Sequence, residues 1–163
     1  MTGNENPDST GLPRLFVDAD ACPVKDEVVR VALRNGLKVF MVANGWMRLD
    51  DDPLVERVLV PEGPDVADDW IVEHARTDDV AITADIPLAA RLVAGGVHVL
   101  GPNGRPFTPD NIGMAKAVRD LKSDLRETGE MTGGNRPFAP QDRSRFSNEL
   151  GNLVHRLLHA RRR

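Results

Sequence analysis

The sequence has little of what secreted, disulfide-stapled or membrane proteins are built from. Its 163 residues contain one cysteine, Cys22, which has no partner for an internal disulfide and favours a reducing compartment. No apolar run approaches the ~18 residues needed to span a bilayer. The first residues are polar and lack the apolar core of a secretory signal. We therefore expect a cytoplasmic protein without a membrane partner.

Several common site motifs are missing as well. The chain has no Gly-rich loop of the P-loop or dinucleotide-binding type, and its four histidines show no zinc-binding spacing. Cys22 lies beside carboxylates and has no histidine nearby to act as its base, so we interpret it as a buried structural cysteine. Nucleotide cradling, zinc chemistry and thiol catalysis thus find no support.

The net charge of −4 is unevenly distributed. Residues 127–163 carry four acids and seven arginines, a net of +3, which leaves −7 for residues 1–126. This asymmetry has two interpretations: a solvated surface with cations near a helix C-terminus, or a basic tail that contacts phosphate.

Short apolar runs alternate with helical patterns along the first hundred residues. Runs that indicate buried strands lie at 15–17, 39–43, 58–60, 80–83 and 97–100. Helical patterns follow Pro23, run from about 67 to 75, and begin again near Pro87. Such alternation predicts an α/β fold of three α/β/α layers around a mainly parallel sheet of about five strands.

The remainder of the chain predicts a helical C-terminal third and one domain. Helical patterns cover about 109–126 and 142–159, separated by a Gly- and Pro-rich linker at 128–141. Residues 1–13 have the composition of a disordered leader. A single domain over residues 14–160 suits a chain of this length.

Polar side chains follow several of the predicted strands. Asp18 and Asp20 end the first strand, Asn44 follows the second, and Thr83 and Asp85 follow the fourth. Parallel strands present their carboxyl ends at one sheet edge, where ligands bind in open α/β sheets. If the chain stays extended, Asp18 and Asp20 point to the same side.

A further acidic pair, Asp68 and Asp69, begins the helix before the fourth strand. Carboxylates that converge repel one another unless a proton, a basic side chain or a cation compensates them. Oxygen-only ligands suit Mg²⁺ or Mn²⁺. The alternative is that these residues are helix caps and turn formers, and for Asp85 both roles stay open.

A second candidate region lies near the C-terminus. Arg143, Ser144 and Arg145 follow a glycine-rich stretch and lie near two phenylalanines, Phe138 and Phe146. Arginines could contact a phosphodiester backbone, and the phenylalanines could stack on bases. The alternative is an ordinary linker and helix start, with both aromatic rings packed on the core.

Six segments in order resemble the YaiI/YqxD family of bacterial proteins over roughly residues 14–157. They are VDADACPVK (17–25), ADDWI (67–71), TADIPLA (83–89), NIG (111–113), TGG (132–134) and DRSRF (142–146). That family looks like a branch of the PIN-like nucleases, and the resemblance implies a single PIN-like domain and Mg²⁺- or Mn²⁺-dependent cleavage of RNA. The acids that it assigns to the site are Asp18, Asp20, one of Asp68 and Asp69, and Asp85.

The leading hypothesis is therefore a metal-dependent nuclease with RNA as its partner. Metal ligands would come from Asp18, Asp20, Asp68, Asp69 and Asp85, and catalysis would involve Asp18, Asp20, Asp69 and Asp85. Substrate contacts would come from Asn44, Thr83, Arg143, Ser144 and Arg145. We predict no stable protein partner, and the sequence gives no oligomeric state.

Two alternatives belong to other classes. A strand followed by Asp-x-Asp also looks like the opening of a haloacid-dehalogenase-type phosphatase, in which Asp18 would be the nucleophile. The residues after the second strand and before the fourth fit that order poorly. The other alternative is a non-catalytic module that binds RNA or a protein partner and keeps an acidic pocket without turnover.

Overall fold

The computed structural model describes residues 11–49, 51–127 and 138–161. Strands and helices alternate along the first hundred residues, except that the third strand follows the second with no helix between them; a short strand and two helices come after. The strands are β1 (Leu15–Asp18), β2 (Val39–Ala43), β3 (Val55–Leu59), β4 (Val80–Ile82), β5 (His98–Leu100) and β6 (Pro106–Phe107). The helices are α1 (Lys25–Asn35), α2 (Val66–His74), α3 (Ile86–Ala94), α4 (Ile112–Glu127) and α5 (Pro140–Arg161).

The strands form one six-stranded sheet in the order β3-β2-β1-β4-β5-β6. Every neighbouring pair is parallel except β5 and β6, which are antiparallel. The predicted α/β fold with a mainly parallel sheet and a helical C-terminal end is confirmed. Parallel pairing arises because each crossover carries the chain back across the sheet before the next strand begins.

Helices cover both faces of the sheet, and the alternation of side chains along β1 shows how. Leu15 and Val17 point into a core formed with α1 and α5, whereas Phe16 points into a second core formed with α2 and α3. All three side chains are fully buried. A strand buried on both faces must be apolar at every position, which is why the strands appear as continuous apolar runs.

Two local features differ from the sequence-based expectation. β3 begins at Val55, three residues before the predicted start at 58, because Glu56 and Arg57 are exposed on an edge strand and interrupt its apolar pattern. The chain after Asp18 does not stay extended: Ala19–Ala21 form a 3₁₀ turn. Asp18 and Asp20 therefore do not share the side of a strand, as extended geometry would have required.

The predicted leader (1–13) and linker (128–141) fall mostly outside the described residues. Gly11–Pro13 are described, and Pro140 and Gln141 already belong to α5. No helix within the described ranges is long and apolar enough to cross a membrane.

Candidate active site

Asp18 and Thr83 lie side by side at the carboxyl edge of the sheet. The register pairs Val17 of β1 with Ile82 of β4, so the next residue of each strand meets its neighbour there. The Thr83 hydroxyl donates a hydrogen bond of 2.9 Å to Oδ2 of Asp18. Thr83 is buried and Asp18 is half-buried. The hydrogen bond therefore holds the Asp18 carboxylate against the end of β4.

Asp85 joins the same group through Thr83 and through the start of α3. Its backbone N–H donates to the Thr83 hydroxyl at 3.0 Å, and its Oδ1 accepts from the N–H of Leu88 at 2.9 Å. Asp85 is thus the N-cap of α3, a role in which aspartate is strongly preferred. The cap anchors the carboxylate near Asp18, whether or not it also binds a ligand.

The two acids of α2 have different surroundings. Asp68 is half-buried, and the negative charges of Asp85 and Asp18 both act on it. Asp69 instead forms a 2.8 Å ion pair with Arg91, and its side chain is about half exposed. Successive residues of a helix point about 100° apart, so only one of the pair can face the sheet edge. The structure brings Asp68 toward Asp18 and Asp85, and leaves Asp69 on the outer surface.

Asp20 lies at the exposed rim of the group. Its Oδ2 accepts a 3.0 Å hydrogen bond from the backbone N–H of Asn44, the residue that follows β2. Its charge also acts on Asp18. The 3₁₀ turn thus directs Asp20 toward the end of β2, while Asp18 stays against β4.

The surroundings of Asp18 and Asp68 disfavour the ionised form of both carboxyl groups. Burial is the largest cause that raises the pKa of Asp18; the Thr83 hydrogen bond opposes it, and Asp85 and Asp20 raise the pKa further. Burial, followed by repulsion from Asp85, Asp18 and Asp65, raises the pKa of Asp68 to about 6. Carboxylates with raised pKa values are characteristic of functional sites.

A divalent cation fits this group by donor type. Carboxylate and hydroxyl oxygens are the ligands of Mg²⁺ and Mn²⁺, and a cation would offset the repulsion. Across the described ranges, however, no three or more His, Cys, Asp or Glu side chains lie in position to hold a metal ion. Neighbouring negative charges raise the pKa values of Asp18 and Asp68, but the acids that the structure describes do not form a closed ligand set.

The predicted phosphate-binding arginines have protein partners. Nη1 of Arg143 donates to both Glu27 oxygens at 2.9 and 2.8 Å and to the carbonyl of Pro23 at 2.9 Å. Arg145 lies 3.6 Å from Asp142, and Ser144 is exposed. Arg143 therefore holds α5 against the start of α1. Its contact with phosphate stays a prediction, as do those of Ser144 and Arg145.

Two pairings that involve predicted site residues were not foreseen from the sequence, namely Glu27 with Arg143 and Asp69 with Arg91. The acids of the first turn of α1 already had a local explanation in the helix dipole, and 116 positions separate Glu27 from Arg143. Phe146 is fully buried and is excluded as a base-stacking residue, whereas the ring of Phe138 is partly exposed beneath the Arg143 guanidinium.

Cys22 is buried, and burial raises the pKa of its thiol to about 11. The thiolate is the reactive form of cysteine, and a raised pKa disfavours it at neutral pH. The predicted burial of Cys22 is confirmed.

Comparisons with known proteins place the chain among uncharacterised bacterial relatives. Residues 16–156 match the profile described as "Uncharacterized BCR, YaiI/YqxD family". A UPF0178 protein of Mesorhizobium japonicum is 62% identical over 146 residues, covering 90% of this chain and 94% of the relative. A UPF0178 protein of Bradyrhizobium sp. is 57% identical over 143 residues, covering 88% and 87%. No solved structure matches the chain significantly.

Proposed function

The chain belongs to the YaiI/YqxD family, and from that premise we propose that it is a metal-dependent nuclease that hydrolyses phosphodiester bonds of RNA. One observation carries the proposal: Asp18, Asp68 and Asp85 lie together at the carboxyl edge of the sheet, where burial and neighbouring negative charges raise the pKa values of Asp18 and Asp68. Folding alone gains nothing from such repulsion, whereas binding of a divalent cation would relieve it. The likeness of the YaiI/YqxD family to PIN-like nucleases supports the same chemistry.

The residues have distinct parts in this proposal. Asp18, Asp68 and Asp85 would hold Mg²⁺ or Mn²⁺, with Asp20 at the rim. A bound cation of this kind polarises a phosphoryl oxygen and makes a water molecule more nucleophilic. The Thr83 hydroxyl orients the Asp18 carboxylate, and the cap hydrogen bond of Asp85 fixes that side chain at the start of α3. Asp69, paired with Arg91, has a smaller part than the sequence predicted.

The test is Mn²⁺-dependent cleavage of an end-labelled single-stranded RNA by the wild type and by Asp18→Asn. Removing a metal-binding carboxylate should lower the rate by at least about a hundredfold, since such groups contribute several kcal/mol to transition-state stabilisation. Asp78→Asn is the matched control. Asp78 is exposed, it precedes β4 at the opposite edge of the sheet, and its positive φ of 72° is tolerated by asparagine.

Each outcome selects one function. Equal cleavage by wild type and Asp18→Asn would refute the proposed mechanism. Absence of cleavage, combined with retained RNA binding, would identify a non-catalytic binding module. Hydrolysis of a small phosphomonoester in place of RNA, lost in Asp18→Asn, would identify a phosphatase that requires Asp18.

A further inference from the structure

Trp46 is an unusual residue to find on the surface. Its side chain is 73% exposed, more than any other large hydrophobic residue among those the structure describes. Tryptophan is highly buried on average, and burying it would bring a large hydrophobic gain. Trp46 lies in the loop between β2 and β3, where the fold keeps the indole in solvent. An exposed aromatic ring in a loop is a feature of binding surfaces.

Arg57 covers one side of this indole. Its guanidinium carbon lies 5.4 Å from the ring centroid, within the range of a cation–π contact. The same guanidinium donates a 2.9 Å hydrogen bond from Nη2 to the carbonyl oxygen of Met47. Arg57 therefore fixes both the loop backbone and the ring, and it adds a positive charge to the exposed surface. We call Trp46 and Arg57 the Trp–Arg platform.

The Trp–Arg platform adjoins the acidic group. Asn44, two residues before Trp46, donates its backbone N–H to Asp20. Gly45 is close enough that a Cβ built there would lie 3.9 Å from Oδ1 of Asp20. The loop that carries Trp46 is thus tied to the rim of the carboxylate group, on the β2 side of Asp18.

We propose that the Trp–Arg platform stacks an unpaired base of single-stranded RNA while the adjoining backbone reaches the carboxylates. The inference rests on the proposed function and specifies its substrate class. An aromatic face together with an arginine is the combination that binds single strands regardless of sequence, through base stacking and contact with the phosphates. In a duplex the base faces are already stacked on their neighbours, so the platform selects single strands over double strands.

Binding is measured by fluorescence anisotropy with a labelled oligouridylate of about 12 nucleotides, within the usual site size of such proteins. EDTA is present so that no strand is cut. Trp46→Ala should weaken binding about 5- to 150-fold, the loss that corresponds to one base–aromatic stack. Trp46→Phe, which keeps a ring, should recover most of the affinity. Met114→Ala removes a side chain that is 70% exposed on α4, which packs against α3 and follows the opposite edge strand, β6, and it should change nothing.

A spectroscopic signal separates stacking from a general loss of structure. The chain has two tryptophans, and Trp70 packs against Phe16, Phe40 and His74. Unlabelled oligouridylate should quench tryptophan fluorescence in the wild type and leave that of Trp46→Phe unchanged. Circular dichroism melting confirms that each variant is folded.

Three results would overturn the inference: unchanged affinity of folded Trp46→Ala, equal affinity of the wild type for a blunt duplex of the same length, or no binding of single-stranded RNA. None of these depends on cleavage. Trp46-dependent binding without Mn²⁺-dependent cleavage would support the platform and refute the nuclease. Cleavage that requires Asp18 but is unchanged in Trp46→Ala would support the nuclease and refute the platform.

Discussion

At the scale of the residue, the surroundings of Asp68 clearly disfavour its ionised form. Folding raises its pKa from 3.8 to about 6, first through burial and then through repulsion from Asp85, Asp18 and Asp65. The folded state therefore binds this proton more tightly than the unfolded state does. The contribution of Asp68 to stability is most favourable below about pH 4 and is lost as the pH rises through about 6.

Asp68→Asn should consequently stabilise the protein at neutral pH. The amide keeps the size of the carboxyl group and removes the charge, so in metal-free buffer the melting temperature at about pH 7.5 should exceed that of the wild type by a few degrees. The difference should shrink steadily toward pH 4.5, where the wild-type carboxyl is protonated in the folded state. Differential scanning calorimetry across this range measures the effect.

Asp69→Asn is the control for that experiment. It removes the ion pair with Arg91, and both partners of that pair are about half exposed. Surface ion pairs contribute about 0–1 kcal/mol, so this variant should melt at or slightly below the wild-type temperature. An Asp68→Asn variant that melts lower than the wild type at neutral pH would show that Asp68 is a structural residue, and would remove the electrostatic basis of the proposed site.

The acidic residues also show which parts of the candidate site could be predicted from the sequence. Asp18 and Asp85 were predicted to lie at one sheet edge because strand ends and a helix cap have sequence signals. The choice between Asp68 and Asp69 depended on the rotation of α2 about its axis, which tertiary packing sets. Asp69 then finds Arg91 on α3, a partner that no local pattern indicates.

At the scale of the element, the start of α5 depends on a close approach to Gly104. This residue is buried, with a φ of 85°, and a Cβ built on it would lie 2.8 Å from Cγ and 2.9 Å from the backbone carbon of Arg145. The contact seats the first turns of α5 on the loop between β5 and β6. Only glycine combines that backbone conformation with that clearance.

Gly104→Ala should therefore destabilise the protein by about 1–3 kcal/mol or more, from the left-handed backbone and the clash together. Urea unfolding followed by circular dichroism measures the change. Gly151→Ala is the matched control, because Gly151 lies within α5 and a Cβ there would meet nothing within 4 Å. That control should gain up to about 1 kcal/mol from helix propensity. Equal stability of the two variants would contradict the importance of the Gly104 contact.

Strands that are buried on both faces were predicted more accurately than exposed ones. β1, β2 and β4 are covered on both faces, so each appears in the sequence as a short apolar run with clear ends. β3 is an edge strand, and its exposed Glu56 and Arg57 obscured its first half. The two-residue β6 is too short to leave a pattern. The 3₁₀ turn after Asp18 has no distinctive composition, and that turn decides where Asp20 points.

At the scale of the whole molecule, the fold brings together charges that are far apart in the chain. Arg143 joins the first helix to the last through Glu27, and the side chain of Glu27 is only 5% exposed. A basic residue predicted to contact phosphate thus also holds the two helices that cover one face of the sheet. The sequence already showed that residues 1–126 are acidic and residues 127–163 are basic. The pairing of Glu27 with Arg143 could not be predicted, because it depends on how the layers pack.

A cation bound at the sheet edge should stabilise the entire fold, since a ligand that binds only the folded state adds to the free energy of unfolding. Mn²⁺ at about 100 times its dissociation constant would add about 2.7 kcal/mol, which raises the melting temperature of a domain of this size by roughly 5–10 °C. Thermal melts with increasing Mn²⁺, reversed by EDTA, measure this shift without requiring activity. Asp18→Asn should abolish the shift and Asp78→Asn should retain it. A shift of equal size in all three proteins would locate the bound ion elsewhere, and no shift in the wild type would contradict a cation at this edge.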